Sequence, residues 1–313
     1  MRKSVFASVV ICFAATVHAQ DDSLFAVNSS NFPGSDFGLV DVVNSEFELI
    51  GSTSVERLTG LEINSEGRLF AVSCPFFADE LAEVFELDPA TGLAISSVEI
   101  SQRDVKGLAF SPNDDLYGVN LNSTLESVII VINPITGETN EVGPIGFTPS
   151  CISALEFGND GNLYAFQSDS QCNQSNGRGL LRIDLTTGEG IDVNPAVGGQ
   201  GITSLAMGLA ANGQMYLTSS EGSNGRLFSV NLTDGTIEEI SPNLFDDQPF
   251  GLTGVAPILL GDVNCDGGVD LLDVAPFVDS VTTGKFNSKA DTNFDGAVDL
   301  LDVVPFVELL AGN

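Results

Sequence analysis

Two stretches near the C-terminus place oxygen-donor side chains at a spacing that suits a hard metal ion. The first reads Asp262-VNCDGGVDLLDVAPFVDSV and the second Asp291-TNFDGAVDLLDVVPFVELL, offset by 29 residues. Each opens with D-x-N-x-D-G-x-V-D-x-x-D, an EF-hand-type loop that ends in Asp rather than Glu. Calcium takes roughly six to eight oxygens, drawn from loop positions 1, 3, 5, 7, 9 and 12. In the first loop those are Asp262, Asn264, Asp266, the Gly268 carbonyl, Asp270 and Asp273. In the second they are Asp291, Asn293, Asp295, the Ala297 carbonyl, Asp299 and Asp302. Gly267 and Gly296 fall where the loop turns sharply, and Val269 and Val298 can bridge the two loops. Hard oxygen donors disfavour zinc and copper, and their number disfavours magnesium. Two calcium ions are the expected cofactors. Four carboxylates converge on each site, so folding of this region should be coupled to the metal.

A single such loop could be an Asx-rich surface turn. Two copies in register, each followed by LLDVxPFV, argue for a built unit. The segments after the loops read as helices. Asp273 and Asp302 can cap them, with Pro276 and Pro305 in the first turn, where proline is tolerated. Val274, Phe277, Val278 and Val281 are expected to form one apolar face; Val303, Phe306, Val307 and Leu310 form the other.

This duplicated loop-plus-helix resembles a type I dockerin over residues 258–313. The resemblance implies two bound calcium ions and docking to a cohesin-like or cell-surface protein. It also implies association with extracellular polysaccharide degradation. Loop positions 10 and 11, which read the partner in that family, are usually small and hydroxylated. Here they are Leu271-Leu272 and Leu300-Leu301, and the family's Lys-Arg pair on the following helix is absent. Docking on the chain's own N-terminal domain is the other possibility.

The elements that precede this unit repeat. Gly60-LEINSEGRLFAV, Gly107-LAFSPNDDLYGV and Ser153-ALEFGNDGNLYAF are three copies, and Ser204-LAMGLAANGQMYL is a fourth with a longer turn. Each reads as strand, turn, strand. Each is followed by an alternating strand running into a turn that ends in glycine: VFELDPATG at Gly92, IVINPITG at Gly137, LRIDLTTG at Gly188 and FSVNLTDG at Gly235. A last β-rich segment closes each repeat. A period of about 46 to 51 residues with three to four short strands predicts propeller blades. At the N-terminus Leu24-FAV matches the second strand of the hairpin, and Gly251-LTGVA matches its missing first strand. The expectation is a mainly β chain: a five-bladed β-propeller over residues 20–257, closed by pairing of its two ends, followed by the helical unit. An open solenoid or a sandwich is the alternative.

These repeats resemble those of secreted bacterial β-propellers with degenerate "GLAF-xxxGxLYxV … LYxIDPxTG" units, distantly like NHL, quinoprotein-type and WD-repeat propellers. The Gly-His and Trp-Asp signature of true WD repeats is absent. Phe25, Phe70, Tyr117, Tyr164 and Tyr216 share one repeat position. Their fivefold recurrence reads as packing between blades; sugar stacking is the other reading.

Composition narrows the function. The 313 residues include 43 acidic side chains, 11 Lys plus Arg and one His, for a net charge of −32. That balance argues against nucleic acid as a partner. Residues 1–19 read as a signal peptide, with Arg2 and Lys3 before an apolar run and a cut after Ala19. An uncleaved anchor is the alternative. No other stretch is long and apolar enough to span a membrane, so the mature chain is expected outside the cell or on its surface. His18 lies in the signal, which leaves no histidine for triad catalysis or metal ligation.

Export permits disulfides among Cys74, Cys151, Cys172 and Cys265. Cys151 and Cys172 flank one hairpin and are the preferred pair. Cys74 and Cys265 are left unassigned.

Three functions fit. One is a secreted binding or scaffold protein whose propeller takes an extracellular glycan or protein. Another is a carboxylate-based glycoside hydrolase. A metal-dependent hydrolase with carboxylates in the propeller channel is the third. No carboxylate departs from the repeat in a way that marks a catalytic pair, and the many Asp and Glu read as solvated surface.

Overall fold

The computed structural model describes residues 23–28, 34–73, 80–150, 152–167, 177–221, 224–245, 249–254, 261, 263, 269–283, 290, 292 and 298–311. Within them the chain is a five-bladed β-propeller, with five four-stranded antiparallel sheets. Blade one holds β1 (Ser23–Asn28), β2 (Asp36–Asp41) and β3 (Glu46–Ser52). Blade two holds β4 (Leu58–Ile63), β5 (Leu69–Ser73), β6 (Glu83–Leu87) and β7 (Ala94–Glu99). Blade three holds β8 (Val105–Phe110), β9 (Leu116–Leu121), β10 (Ser127–Ile132) and β11 (Thr139–Pro144). Blade four holds β12 (Ala154–Phe157), β13 (Leu163–Gln167), β14 (Gly179–Ile183) and β15 (Gly190–Asp192). Blade five holds β16 (Ser204–Leu209), β17 (Met215–Glu221), β18 (Asn224–Val230) and β19 (Ile237–Phe245). The last strand, β20 (Pro249–Gly254), pairs antiparallel with β1, matching Leu24 to Gly254 and Phe25 to Thr253.

Alternating side chains of each sheet pack against the neighbouring blades, so the core is five interfaces. Phe70, Val72 and Val84 of blade two meet Leu108, Val128 and Ile130 of blade three in one apolar cluster. Leu24, Ala26 and Val40 of blade one meet Tyr216, Leu227 and Phe245 of blade five in another. The recurrent aromatics are in these seams. Phe70 packs edge-on against Phe110 at 5.6 Å, and Tyr117 against Phe157 at 5.5 Å.

The glycine-ended turns have one geometry. The side-chain oxygens of Asp88, Asn133, Asp184 and Asn231 accept the amides of Ala90, Ile135, Thr186 and Thr233 at 2.8–2.9 Å. Their carbonyls accept the amides of Gly92, Gly137, Gly188 and Gly235. Each of these glycines has φ between 71° and 80°, a region that L side chains enter at a cost. Gly137 is also pressed on blade two, where an added Cβ would lie 2.2 Å from the Glu99 carbonyl oxygen. Gly137→Ala is therefore expected to cost about 2 kcal/mol or more, from the left-handed backbone and the clash together. Urea unfolding measures it; an unchanged midpoint would contradict this close approach.

Two helices follow, α1 (Val274–Thr283) and α2 (Val303–Leu310). Phe277 and Phe306 stack face to face, with ring centroids 3.8 Å apart. Val263, Ala290 and Val298 are buried around them, and Val281, Val303 and Leu310 pack on this cluster. The expected apolar faces are only partly used: Val274, Val278 and Val307 are exposed. Val278 and Val307 each follow a stacked phenylalanine by one residue, which turns them about 100° away around the helix. No helix among the described residues is long and apolar enough to cross a membrane.

Candidate functional site

Strand register defines one position shared by the inner strands of all five blades. It is the residue paired with the recurrent aromatic of the next strand. Thr253 pairs with Phe25, Glu62 with Phe70, Ala109 with Tyr117, Glu156 with Tyr164 and Gly208 with Tyr216. Two glutamates therefore stand in a ring whose other members are small. Both are buried, Glu62 at 5% exposure and Glu156 at 4%.

Blades two and four are not neighbours, because blade three lies between them. Glu62 and Glu156 nevertheless line the same cavity. Thr253 from the last strand donates its hydroxyl to Glu62 Oε1 at 3.1 Å, and the Ile63 amide donates to the same oxygen at 3.1 Å. The Phe157 amide donates to Glu156 Oε1 at 2.8 Å. Glu62 Oε2 and Glu156 Oε2 receive no hydrogen bond from any other group of the described residues.

Burial pushes the Glu62 carboxyl up to about 8, against the smaller opposing effect of its hydrogen-bonding neighbours. Burial raises Glu156 well above the ordinary range, and the neighbouring Glu62 raises it further. Both carboxyls therefore favour the protonated form.

The pair lies at the floor of a cavity of about 440 Å³. The inner hairpin turns form its walls, with Ser65, Ser111, Asp114, Asn159 and Ala211 among the lining residues. Asp114 is tied to blade two by accepting the Ser65 amide at 3.0 Å and the Ser65 hydroxyl. Among the described residues, no basic side chain lines this cavity.

This pair corrects the reading of every carboxylate as solvated surface. Its signal is present in the repeat: Glu62 and Glu156 occupy a column otherwise filled by Ala109, Gly208 and Thr253. Recognising it requires the exact strand register.

The calcium-loop residues divide. Asp262, Asn264, Asp266, Gly268, Asp291, Asn293, Asp295 and Ala297 lie outside the described residues, as do the signal peptide and Cys74, Cys151, Cys172 and Cys265. Positions 9 and 12 are described in both copies and match. The Asp270 amide donates to Asp273 Oδ2 at 2.9 Å, and the Asp299 amide to Asp302 Oδ2 at 2.8 Å. The Leu272 and Leu301 amides donate to Asp270 Oδ1 and Asp299 Oδ1, both at 2.7 Å. Asp273 and Asp302 are fully buried. The side chain of Asp302 makes no capping bond to α2, contrary to expectation; its Oδ2 turns back to position 9 instead. Among the described residues, no group of three or more His, Cys, Asp or Glu side chains is placed to hold a metal.

No protein-family model matches the chain, and no curated protein matches it. Solved structures do. One chain of a nidogen/laminin complex is 10% identical with a TM-score of 0.47, over 74% of this chain and 97% of that one. TolB from Acinetobacter baumannii is 16% identical with a TM-score of 0.43, over 72% of this chain and 54% of its own. A luciferin-regenerating enzyme is 12% identical with a TM-score of 0.38, over 62% of this chain and 69% of its own.

Proposed function

We propose that this chain is an extracellular binding or scaffold protein, in which the propeller presents the interaction surface and residues 258–313 form a dockerin-like calcium-binding attachment module. The observation that carries this reading is the structural identity of the two loop ends. In both copies a buried position-12 aspartate is fixed against an exposed position-9 aspartate by the same hydrogen bonds. These carboxylates fit a hard, oxygen-preferring ion. Asp262, Asn264, Asp266 and the Gly268 carbonyl would complete the first site. Asp291, Asn293, Asp295 and the Ala297 carbonyl would complete the second.

Beside each loop end, Leu271 and Leu300 are 81% and 77% exposed, and Leu272 and Leu301 are also exposed. Paired exposed apolar side chains suit a protein partner, cohesin-like or cell-surface. Pairing of β20 with β1 holds the propeller shut in this reading, leaving its broad faces for a glycan or protein. Export through the 1–19 signal places the protein outside the cell, where calcium is plentiful.

A glycoside-hydrolase role draws no support from the buried glutamates. Such enzymes need carboxyls about 5–9.5 Å apart to admit a sugar carbon or a water. Burial raises both Glu62 and Glu156, which disfavours the ionised nucleophile or base such a reaction needs.

Calcium titration of the full chain tests the module. Helical circular dichroism is expected to rise on binding and to fall on chelation, and D273N/D302N is expected to abolish this response. No gain in helix, or an identical response from the variant, would overturn the assignment.

A further inference from the structure

Within the ring of five inner-strand positions, only Glu62 and Glu156 bring negative charge. Among the described residues, the cavity they line holds no basic side chain to neutralise it. Their Oε1 atoms are fixed by Thr253, Ile63 and Phe157, while both buried Oε2 atoms have no donor among the described residues. Two desolvated carboxylate oxygens without a donor, in a cavity with room for water, suit a hard, oxygen-preferring cation.

We propose that Glu62 and Glu156 form a divalent-cation site in the propeller cavity, where a hard ion binds their donor-free Oε2 atoms and keeps most of its water shell. Thr253 positions Glu62 for this role, and the cavity supplies the space for the remaining water ligands. Magnesium tolerates this arrangement, since it commonly holds several waters and only one or two carboxylates. Manganese, also suited to carboxylate and water, is the probe. Binding exchanges protons for the ion: the O–H bonds of both carboxyls break, their protons leave to buffer, and both carboxylates face the metal. Affinity should therefore rise with pH. The groups facing the pair are Thr253 on β20, Ala109 on β8, Gly208 on β16 and, at the rim, Asp114. Among these only Asp114 carries charge. It is a carboxylate, so it favours the cation.

The site is separate from the C-terminal loops, and the experiment keeps the two apart. Full-length protein stripped with chelator is titrated with manganese, following free ion by electron paramagnetic resonance. The same is done for E62Q/E156Q and for a loop variant, D270N/D273N/D299N/D302N. The expected result is loss of one ion per chain in E62Q/E156Q and its retention in the loop variant. About two protons should be released for that ion at pH 7, and its affinity should fall at least tenfold at pH 5.5. Equal ion number and proton release in wild type and E62Q/E156Q would overturn the proposal, whatever the loop variant does. Loss of binding confined to the loop variant would also overturn it. A readout without substitution guards against misfolding: manganese should broaden the amide resonances of Ile63, Phe157 and Thr253 in the wild type. Sharp resonances at saturating manganese would refute the site.

Discussion

Glu156→Gln is expected to make the protein more stable than wild type at pH 8.5 and to change it little at pH 5, both in chelator. The cause is the burial of two carboxyls in one cavity. Glu62 has an ordinary value near 4.5 that burial raises to about 8, and Glu156 is raised well above its ordinary value. The native state therefore holds protons that the unfolded chain has already released. Where the native state binds more protons, stability falls as pH rises. The contribution of the pair is fully present below about pH 4.5 and is lost progressively as pH climbs through 8. Glutamine at 156 replaces one buried titrating carboxyl by a neutral group and removes its repulsion on Glu62. A difference of roughly 2–4 kcal/mol at pH 8.5 is expected, which corresponds to about 5–10 °C in a chain of this size. Thermal melts across pH 5 to 9 decide it. Parallel curves for the two proteins would show that the pair does not titrate as a unit.

Phe306→Ala is expected to unfold the C-terminal helices while leaving the propeller intact. Among the described residues the cluster there has five buried side chains: Val263, Phe277, Ala290, Val298 and Phe306. The Phe277–Phe306 stack is its centre. Removing a buried phenylalanine side chain costs about 3–5 kcal/mol. A core this small rarely supplies more than about 3–5 kcal/mol in total. Circular dichroism should therefore lose its helical component, and protease should cut within residues 261–311 without degrading the blades. An unchanged helical signal with calcium present would mean that the metal sites, rather than the stack, hold the helices.

The contrast between these two predictions follows the range of the interactions behind them. Phe306 was legible from the sequence because the LLDVxPFV repeat is local: a helix of eight to ten residues brings its own apolar positions together. Only the side to which Val278 and Val307 turn had to come from the packed structure. The same locality made the hairpins and the glycine-ended turns readable, since Asp88 with Gly92, or Asn133 with Gly137, are bonded within five residues. The match between Leu24-FAV and Gly251-LTGVA was also visible, because a half-blade at each end is a property of the repeat.

Glu62 and Glu156 are in plain view, in GLEI and ALEF, and read with the other Asp and Glu as solvated surface. A period-2 pattern says that such a residue points away from its neighbours; it does not say whether water or another blade lies there. Ninety-four positions separate the two glutamates, and they line one cavity only because blades two and four present them at matching register. The sequence by itself determined the elements, their repetition and the oxygen-rich loops, because each is a short-range consequence of residue type and spacing. The tertiary structure alone decided which carboxylates lose their water, because desolvation depends on what the rest of the chain places around them.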